Sequence, residues 1–241
     1  AGCRAPLPCQ RPGMPCCAPC QCKQCTCVAT VSGQDEPRHV LKVRVLLFLL
    51  GLGVGAPWRA VNLVMNFWTF HFSYSPYFWP LLLCAYNIPG LPVQLLMLAL
   101  QKRHAHPTHA TQCPLILLLA LVLVLLPLWP YSMASMLLCY ALLALFGLAI
   151  GTLQALCLSF SLQLAACFPP ESFAATQTVF AGSGCGTFVI AAVMFLTGAG
   201  ARTPPFAALF SYFSLCAVPV VVAAGAFWYV PHTEAGRRWA R

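Results

Sequence analysis

The sequence predicts an all-α, polytopic membrane protein with about six transmembrane helices. Of its 241 residues, 60% are apolar and only 7% are charged, too few charges to cover the surface of a water-soluble globule of that size. Long stretches after Arg44 carry no Lys, Arg, Asp or Glu. Several of these stretches reach the roughly 20 apolar residues that an α-helix needs to cross a bilayer.

Six hydrophobic segments follow the basic boundary formed by Arg38, Lys42 and Arg44. They cover approximately residues 45 to 70, 77 to 100, 113 to 130, 134 to 162, 173 to 197 and 206 to 230. The apolar run from Met133 to Phe168 is too long for one straight crossing and too short for two crossings with a loop. We therefore expect one long or tilted helix there.

Basic residues at the ends of the segments predict the topology. Lys102 and Arg103 lie in the loop after the second segment, and three arginines follow the last segment. Because cytoplasmic loops are enriched in Lys and Arg, both termini are predicted to be cytoplasmic, and we expect the plasma membrane rather than an internal one. The net charge of +9 therefore indicates orientation in a membrane, and no nucleic-acid partner is expected.

Residues 1–37 form a separate segment, ahead of a transmembrane bundle over residues 38–241. The segment is rich in Pro, Gln, Gly and Cys, so it buries too little apolar surface to offset the entropy of ordering, and a disordered cytoplasmic tail is predicted. Eight of the 15 cysteines lie in it: Cys3, Cys9, Cys16, Cys17, Cys20, Cys22, Cys25 and Cys27. Thiolates at this spacing can bind zinc or copper(I). Without the usual spacer between ligand pairs, biased composition or reversible acylation is favoured, and no metal or cofactor is assigned.

The first hydrophobic segment carries a stripe of small and polar residues. Its members recur every three or four positions and share an arc of roughly 100° on a helix: Gly51, Gly55, Trp58, Arg59, Asn62 and Asn66. An arginine near the middle of a span costs about 3 kcal/mol on insertion scales, so Arg59 should face the bundle interior or a wet cavity with a partner. Two interpretations stay open, because the stripe could line a pathway or could serve close helix packing.

Two further segments carry polar faces, and no hydrophobic segment carries a recognisable set of catalytic residues. The faces consist of Gly147, Gly151, Gln154 and Ser161 in the fourth segment and Thr176, Phe180, Ser183, Gly184 and Thr187 in the fifth. Three such faces can enclose one hydrophilic path, although the run from Ala181 to Gly186 equally suits a tight helix crossing. The segments contain no carboxylate pair, no Ser/His/Asp set and no HExxH motif. We therefore do not expect an enzyme.

Short motifs resemble the equilibrative nucleoside transporters. Residues 50–58 read LGLGVGAPW, similar to the opening helix of that family, Leu-Gly-Leu-Gly, three residues and Pro-Trp-Asn, with Arg59 replacing the family Asn. Residues 84–89, CAYNIP, resemble the second helix. Residues 151–154, GTLQ, with the later Phe-Pro-Pro, resemble the fourth-to-fifth helix region. The glycines of residues 182–186 resemble a Gly-Gln-Gly stretch that here lacks its Gln.

This resemblance implies the N-terminal half of a major-facilitator-like transporter, whose two halves meet around a midplane site. It implies facilitative transport of nucleosides or nucleobases, with four residues along the substrate path: Trp58, Asn62, Asn87 and Gln154. Arg59 departs from the family motif, and we add it to the predicted substrate-binding residues because it shares the polar arc of Trp58 and Asn62. An indole can stack on a base, and amides can pair with base edges or ribose hydroxyls. The implied partners are a nucleoside or nucleobase, the lipid bilayer, and the missing C-terminal half or a second chain.

Two other functions stay open. One is a non-transporting helical membrane protein whose polar faces have a structural or assembly role, and the other is a metal-handling membrane protein that uses the cysteine-rich tail. Five further helices beyond Arg241 would favour the carrier. We expect the 241 residues not to transport alone, because alternating access requires one half to rock against the other.

The predicted topology can be tested by labelling single cysteines from outside sealed cells, on a background without the other cysteines. A membrane-impermeant maleimide should modify cysteines placed near positions 74 and 200, and it should not modify one at position 106. Modification at position 106 would contradict six crossings with cytoplasmic ends.

Overall fold

Helices account for nearly all of the described part of the chain. The structure, a computed structural model, describes residues 36–72, 75–102, 109–128, 135–166, 168 and 174–233, which belong to one unit spanning residues 34–241. The α-helices are α1 (Glu36–Leu63), α2 (Met65–His71), α3 (Phe78–Asn87), α4 (Gly90–Lys102), α5 (His109–Leu125), α6 (Met136–Ala166), α7 (Ala175–Thr197) and α8 (Phe206–Tyr229), followed by a 3-10 turn, Val230–His232. No strand occurs among these residues, and the all-α prediction is confirmed. The cysteine cluster of the tail lies outside the described residues.

Five helical stretches in the described ranges are long and apolar enough to cross a membrane. They are Val40–Leu63, Phe78–Met97, Leu137–Ala166, Ala175–Thr197 and Phe206–Tyr229. The third predicted segment forms a shorter apolar stretch, Gln112–Leu125. A multi-pass membrane protein is therefore confirmed. A sixth crossing, and with it the cytoplasmic side of both termini, stays a prediction, because an odd number of crossings would put the ends on opposite sides.

The second predicted segment forms two helices joined at a kink. α3 ends at Asn87 and α4 begins at Gly90, because Pro89 lacks an N–H and its ring crowds the preceding turn. Backbone bonding continues across the kink, since Ile88 N donates to Cys84 O at 2.9 Å and Val93 N donates to Pro89 O at 3.1 Å. The broken rod thus still spans the length of a membrane helix.

The fourth predicted segment is one unbroken helix, as expected. α6 has 31 residues, which at 1.5 Å per residue makes it about 46 Å long. This exceeds the roughly 30 Å hydrocarbon thickness, so α6 must tilt or project beyond the core. Tyr140 near its start contacts Phe72 at 4.8 Å between ring centroids. Ile150, ten residues further along α6, lines the same cavity as Trp58 of α1. α6 therefore runs antiparallel to α1, with its beginning at the end of α2.

Glycines bring α1 into backbone contact with two neighbouring helices. A Cβ at Gly51 would meet the carbonyl oxygen of Val179 in α7, and a Cβ at Gly182 would meet that of Phe48 in α1. Gly53 faces the backbone of α8 in the same way. Lipid tails are as apolar as leucine, so helix association in a bilayer depends on such short van der Waals contacts. Gly51 and Gly55 of the first stripe and Gly182 and Gly186 of α7 therefore take part in close packing.

A buried tyrosine secures the end of α1 against α8. Tyr212 is fully buried, and its hydroxyl donates to the carbonyl oxygen of Ala60 at 2.9 Å. Ala60 lies in the last turn of α1, where helix carbonyls lack an intrahelical partner. The chain then turns at Val64 and continues as α2. Tyr212 thus supplies a donor where the helix itself has none.

The polar face predicted for the fifth segment lies differently in the structure. Of that set only Ser183 is directed at α1, while the others are exposed: Thr176, Phe180, Gly184 and Thr187. The buried face of α7 consists of Ala175, Val179, Gly182, Gly186 and Ile190. The difference arises because the closest approach to α1 requires residues without a side chain, and Gly182 and Gly186 lie one turn apart. α7 contributes one predicted polar side chain, Ser183, to the interior.

The α1–α7 contact can be tested with two matched substitutions in α7. Gly182→Ala should lower the free energy of unfolding by about 1–3 kcal/mol, because the new methyl group overpacks the interface. Gly184→Ala, with no atom within 4 Å of the new Cβ, should leave stability unchanged or raise it by up to about 1 kcal/mol, since Ala is the better helix former. SDS titration of the purified variants in mixed micelles measures both values. Equal effects would contradict the close approach of α1 and α7.

Candidate functional site

Three aromatic rings from α1 and α3 stack on one another. The indole of Trp58 lies 3.7 Å from the Tyr86 ring between centroids, at an interplanar angle of 8°. Trp79 stacks on the same indole at 6.3 Å and 22°. α3 is held close to α6 here, because a Cβ at Gly151 would meet the carbonyl oxygen of Tyr86. Packing of α3 on α6 thus positions the aromatic partner of Trp58.

A small apolar cavity adjoins this stack. It is lined by Trp58, Val61, Leu82, Tyr86, Leu126, Leu143, Phe146, Gly147 and Ile150. Its volume of about 10 Å³ holds at most about one water molecule, whereas small-molecule sites occupy roughly 300–1,000 Å³. Tyr86 occupies the indole face on which a flat ligand would stack. The cavity is therefore closed in this conformation.

Arg59 turns away from the cavity and joins α1 to α7. Its Nη1 donates to the main-chain oxygen of Ser183, and its Nη2 donates to Ser183 Oγ at 3.3 Å. Two glycines make room for the guanidinium, since a Cβ at Gly55 would lie 2.6 Å from Nη1 and a Cβ at Gly186 would lie 3.2 Å from it. The cation therefore lies at the contact between α1 and α7.

Two amide side chains that follow cavity residues along their helices have unsatisfied oxygens. Asn62 Oδ1 and Gln154 Oε1 are both buried and have no hydrogen-bond partner among the described residues. Asn62 follows the cavity residue Val61, and Gln154 lies one turn beyond the cavity residue Ile150. A buried acceptor without a donor costs about 1–3 kcal/mol, so each oxygen requires an explanation. A ligand or water that carries N–H or O–H groups would satisfy them.

Asn87 lies apart from the other predicted site residues. Its side chain is exposed, and Nδ2 donates to Leu83 O, one turn back in α3, at 2.8 Å. The amide is thus directed along its own helix. Trp58 lines the cavity and Asn62 directly follows a lining residue, whereas Asn87 presents its amide outside.

A second aromatic cluster packs around the end of α2, outside the long spans. His71 stacks on Phe67 with centroids 5.7 Å apart and contacts Phe72 edge-on at 5.4 Å. Burial lowers the pKa of the His71 imidazole, because desolvation disfavours the charged ring. Phe72 in turn stacks on Phe78 of α3. This cluster connects α2, α3 and α6, and its contacts are those of a packing core.

The sequence motifs indicated some of the site but missed its central contacts. Tyr86 lies within the CAYNIP motif, but nothing in that motif predicts that its ring stacks on Trp58. Ser183 was placed on a polar face of its helix, but the pattern gave no hint that it accepts from Arg59. Comparison with known protein families and with curated proteins finds no significant match. The likeness of residues 50–58 to nucleoside transporters therefore stays a prediction.

The unsatisfied oxygens predict that two site substitutions stabilise the protein. Asn62→Leu and Gln154→Met should each raise the free energy of unfolding by about 1–3 kcal/mol, because the cost of an unpaired buried acceptor disappears. Asn87→Leu is the matched control and should change stability little, since Asn87 is exposed and bonded within α3. The measurement is again SDS titration. A loss of stability in both site variants would mean that the two oxygens have partners.

Proposed function

We propose that this protein is one half of a facilitative carrier for nucleosides or nucleobases. One observation carries the proposal: Asn62, one turn after Trp58 on α1, and Gln154, one turn after the cavity residue Ile150 on α6, have buried amide oxygens without donors. A base stacked on an aromatic side chain gains about 1–3 kcal/mol. Base N–H groups and ribose hydroxyls are the donors that the two amides lack.

Binding in this proposal requires α3 to move relative to α1. Tyr86 stacks on Trp58 in the closed conformation, so a base must displace it and take its place on the indole. The kink at Ile88–Pro89 begins two residues after Tyr86, and Pro-induced kinks are points at which helices bend. Tyr86 thus acts as a lid, and the substrate exchanges one stacked ring for another.

The exposed face of α7 supports the half-carrier part of the proposal. Three exposed residues on this span are polar, Thr176, Gln177 and Thr187, and Gly184 beside them has open space around it. Lipid offers no hydrogen-bond partners to such groups, whereas another polypeptide does. This face suits the second half of the carrier or a second chain.

The alternative is a non-transporting membrane protein whose polar faces serve assembly. The backbone contacts at Gly51, Gly53 and Gly182 favour it, and so does the link between Arg59 and Ser183. In this case the buried oxygens bind only water. The metal-handling hypothesis depends on tail cysteines that lie outside the described residues.

Ligand binding to the chain in lipid nanodiscs tests the carrier. Tritiated uridine and adenosine should bind saturably, with dissociation constants in the range of roughly 1 μM to 1 mM that is typical of substrates. Trp58→Ala should weaken binding at least about tenfold through the lost stacking. Trp228→Ala, at an exposed Trp on α8, should leave it unchanged. Size-exclusion chromatography confirms that both variants fold.

The alternative gives a different result in the same assay. If neither nucleoside binds saturably to the wild-type chain, or if both Trp variants bind equally well, the carrier proposal fails and the assembly role is favoured.

A further inference from the structure

Arg59 holds its charge at the middle of a long apolar helix. Gly186 is the midpoint of α7, whose 23 residues run from Ala175 to Thr197. A Cβ at Gly186 would lie 3.2 Å from Arg59 Nη1, so the guanidinium lies at that depth. Because a cation inside a bilayer is costly, such residues almost always pair with an opposite charge or with polar groups. The partners of Arg59 therefore decide whether its charge is compensated.

The acceptors that Arg59 meets in the described residues are neutral. A guanidinium has five N–H donors, and the two bonds formed here go to the main-chain oxygen and the hydroxyl of Ser183. The four acidic residues of the chain lie outside the five long apolar stretches: Asp35, Glu36, Glu171 and Glu234. The cation therefore has no carboxylate partner within those stretches.

The Thr187 hydroxyl, one turn after Ser183, lacks a bond that other hydroxyls of the long helices form. Those hydroxyls donate to the carbonyl oxygen four residues back, and they belong to Thr152, Ser159, Ser161, Thr178 and Thr197. For Thr187 the corresponding oxygen is that of Ser183, which accepts from Arg59. Thr187 is exposed, and its hydroxyl forms no hydrogen bond to another described residue. A free donor thus lies one turn from the carbonyl that Arg59 binds.

An open side of α7 leads to this pair of groups. Thr176, Ser183 and Thr187 follow one another at spacings of seven and four residues, so they lie on one side of the helix. Thr176 and Thr187 are exposed, and a Cβ at Gly184 would meet nothing within 4 Å. Lipid offers hydroxyl groups no partner, whereas a neighbouring helix does. A helix packed on this side of α7 would therefore meet the contact between Arg59 and Ser183.

We propose that this side of α7 is covered by a transmembrane helix from outside the 241 residues, and that this helix carries an Asp or Glu near its middle. Its carboxylate accepts from the planar Arg59 guanidinium, which suits a carboxylate through parallel N–H bonds, and from the Thr187 hydroxyl. A second copy of this chain does not meet the requirement, because its long apolar stretches contain no acid. The inference rests on the half-carrier part of the proposed function and names the chemistry of the partner.

Two synthetic transmembrane peptides form a matched pair of probes. Each has about 20 Leu and Ala residues, and the two differ only in a central Glu or a central Gln. Association with the whole 241-residue chain in phosphatidylcholine liposomes is measured by resonance energy transfer. The wild-type chain should bind the Glu peptide at least about tenfold more tightly, as a charge-assisted pair implies. Arg59→Gln should remove this preference, and Arg202→Gln, at an exposed arginine outside the long stretches, should retain it.

The outcomes separate this inference from the proposed function. Equal association of the two peptides with the wild-type chain overturns the acidic partner and leaves the carrier to the nucleoside assay. A preference that Arg59→Gln and Arg202→Gln reduce equally overturns it as well, because the carboxylate then binds elsewhere. An Arg59-dependent preference without nucleoside binding keeps the acidic partner and removes the carrier. If Arg59→Gln fails to fold, Thr187→Val decides in its place, since loss of the exposed hydroxyl should weaken association of the Glu peptide and an unchanged affinity contradicts the site.

Discussion

The close approach of α1 to α7 and α8 is the contact on which the rest of the structure depends. In a bilayer no hydrophobic driving force draws one apolar helix to another, so backbone atoms must come close enough for van der Waals attraction to act. Gly51 and Gly182 remove the side chains that would separate α1 from α7, and Gly53 does the same toward α8. These contacts fix α1 in the middle of the described bundle, and every predicted site residue of α1 takes its position from them.

The same helix changes character along its length. Up to Gly55 glycines lie where α1 meets α7 and α8, and after Pro57 the helix carries Trp58, Arg59 and Asn62. Trp58 is directed at α3 and Arg59 at α7, so the polar part of α1 meets two different helices. The end of this part is secured by Tyr212, which donates to a carbonyl of the last turn. The close packing of α1 around Gly51 and Gly53 thus fixes the position of the polar residues that follow Pro57. Among these, the side-chain oxygen of Asn62 has no hydrogen-bond partner in the described part of the chain.

Hydropathy located the apolar segments but not the breaks within them, such as those at Val64 and at Ile88–Pro89. The predicted segments 173 to 197 and 206 to 230 agree with α7 and α8 within two residues, because apolar length sets the span and Gly or Pro sets its ends. The first helix begins earlier than its apolar run, at Glu36. A run of apolar residues reports the hydrocarbon thickness but not the helical turns that extend into the headgroup region.

Helical periodicity could not identify the neighbours of each face. It correctly grouped Thr176, Ser183 and Thr187 on one side of α7, yet packing turned most of that side outward because Gly182 sets the closest approach. The stacking of Tyr86 on Trp58 was equally inaccessible, since it results from α3 resting on Gly151 of α6. Asn87 formed a bond within its own helix, a local choice that a motif match does not reveal.

The two candidate functions differ in what they leave unexplained. Helix assembly accounts for the glycines, because close contact needs no more than the absence of side chains. It does not account for Arg59, since a buried polar link can often be replaced by apolar residues at no loss of stability. Nor does it account for the amide oxygens of Asn62 and Gln154, which cost stability while they lack donors. A ligand with a flat ring and N–H donors would satisfy both amides, and a functional site is where such departures from ideal packing are expected.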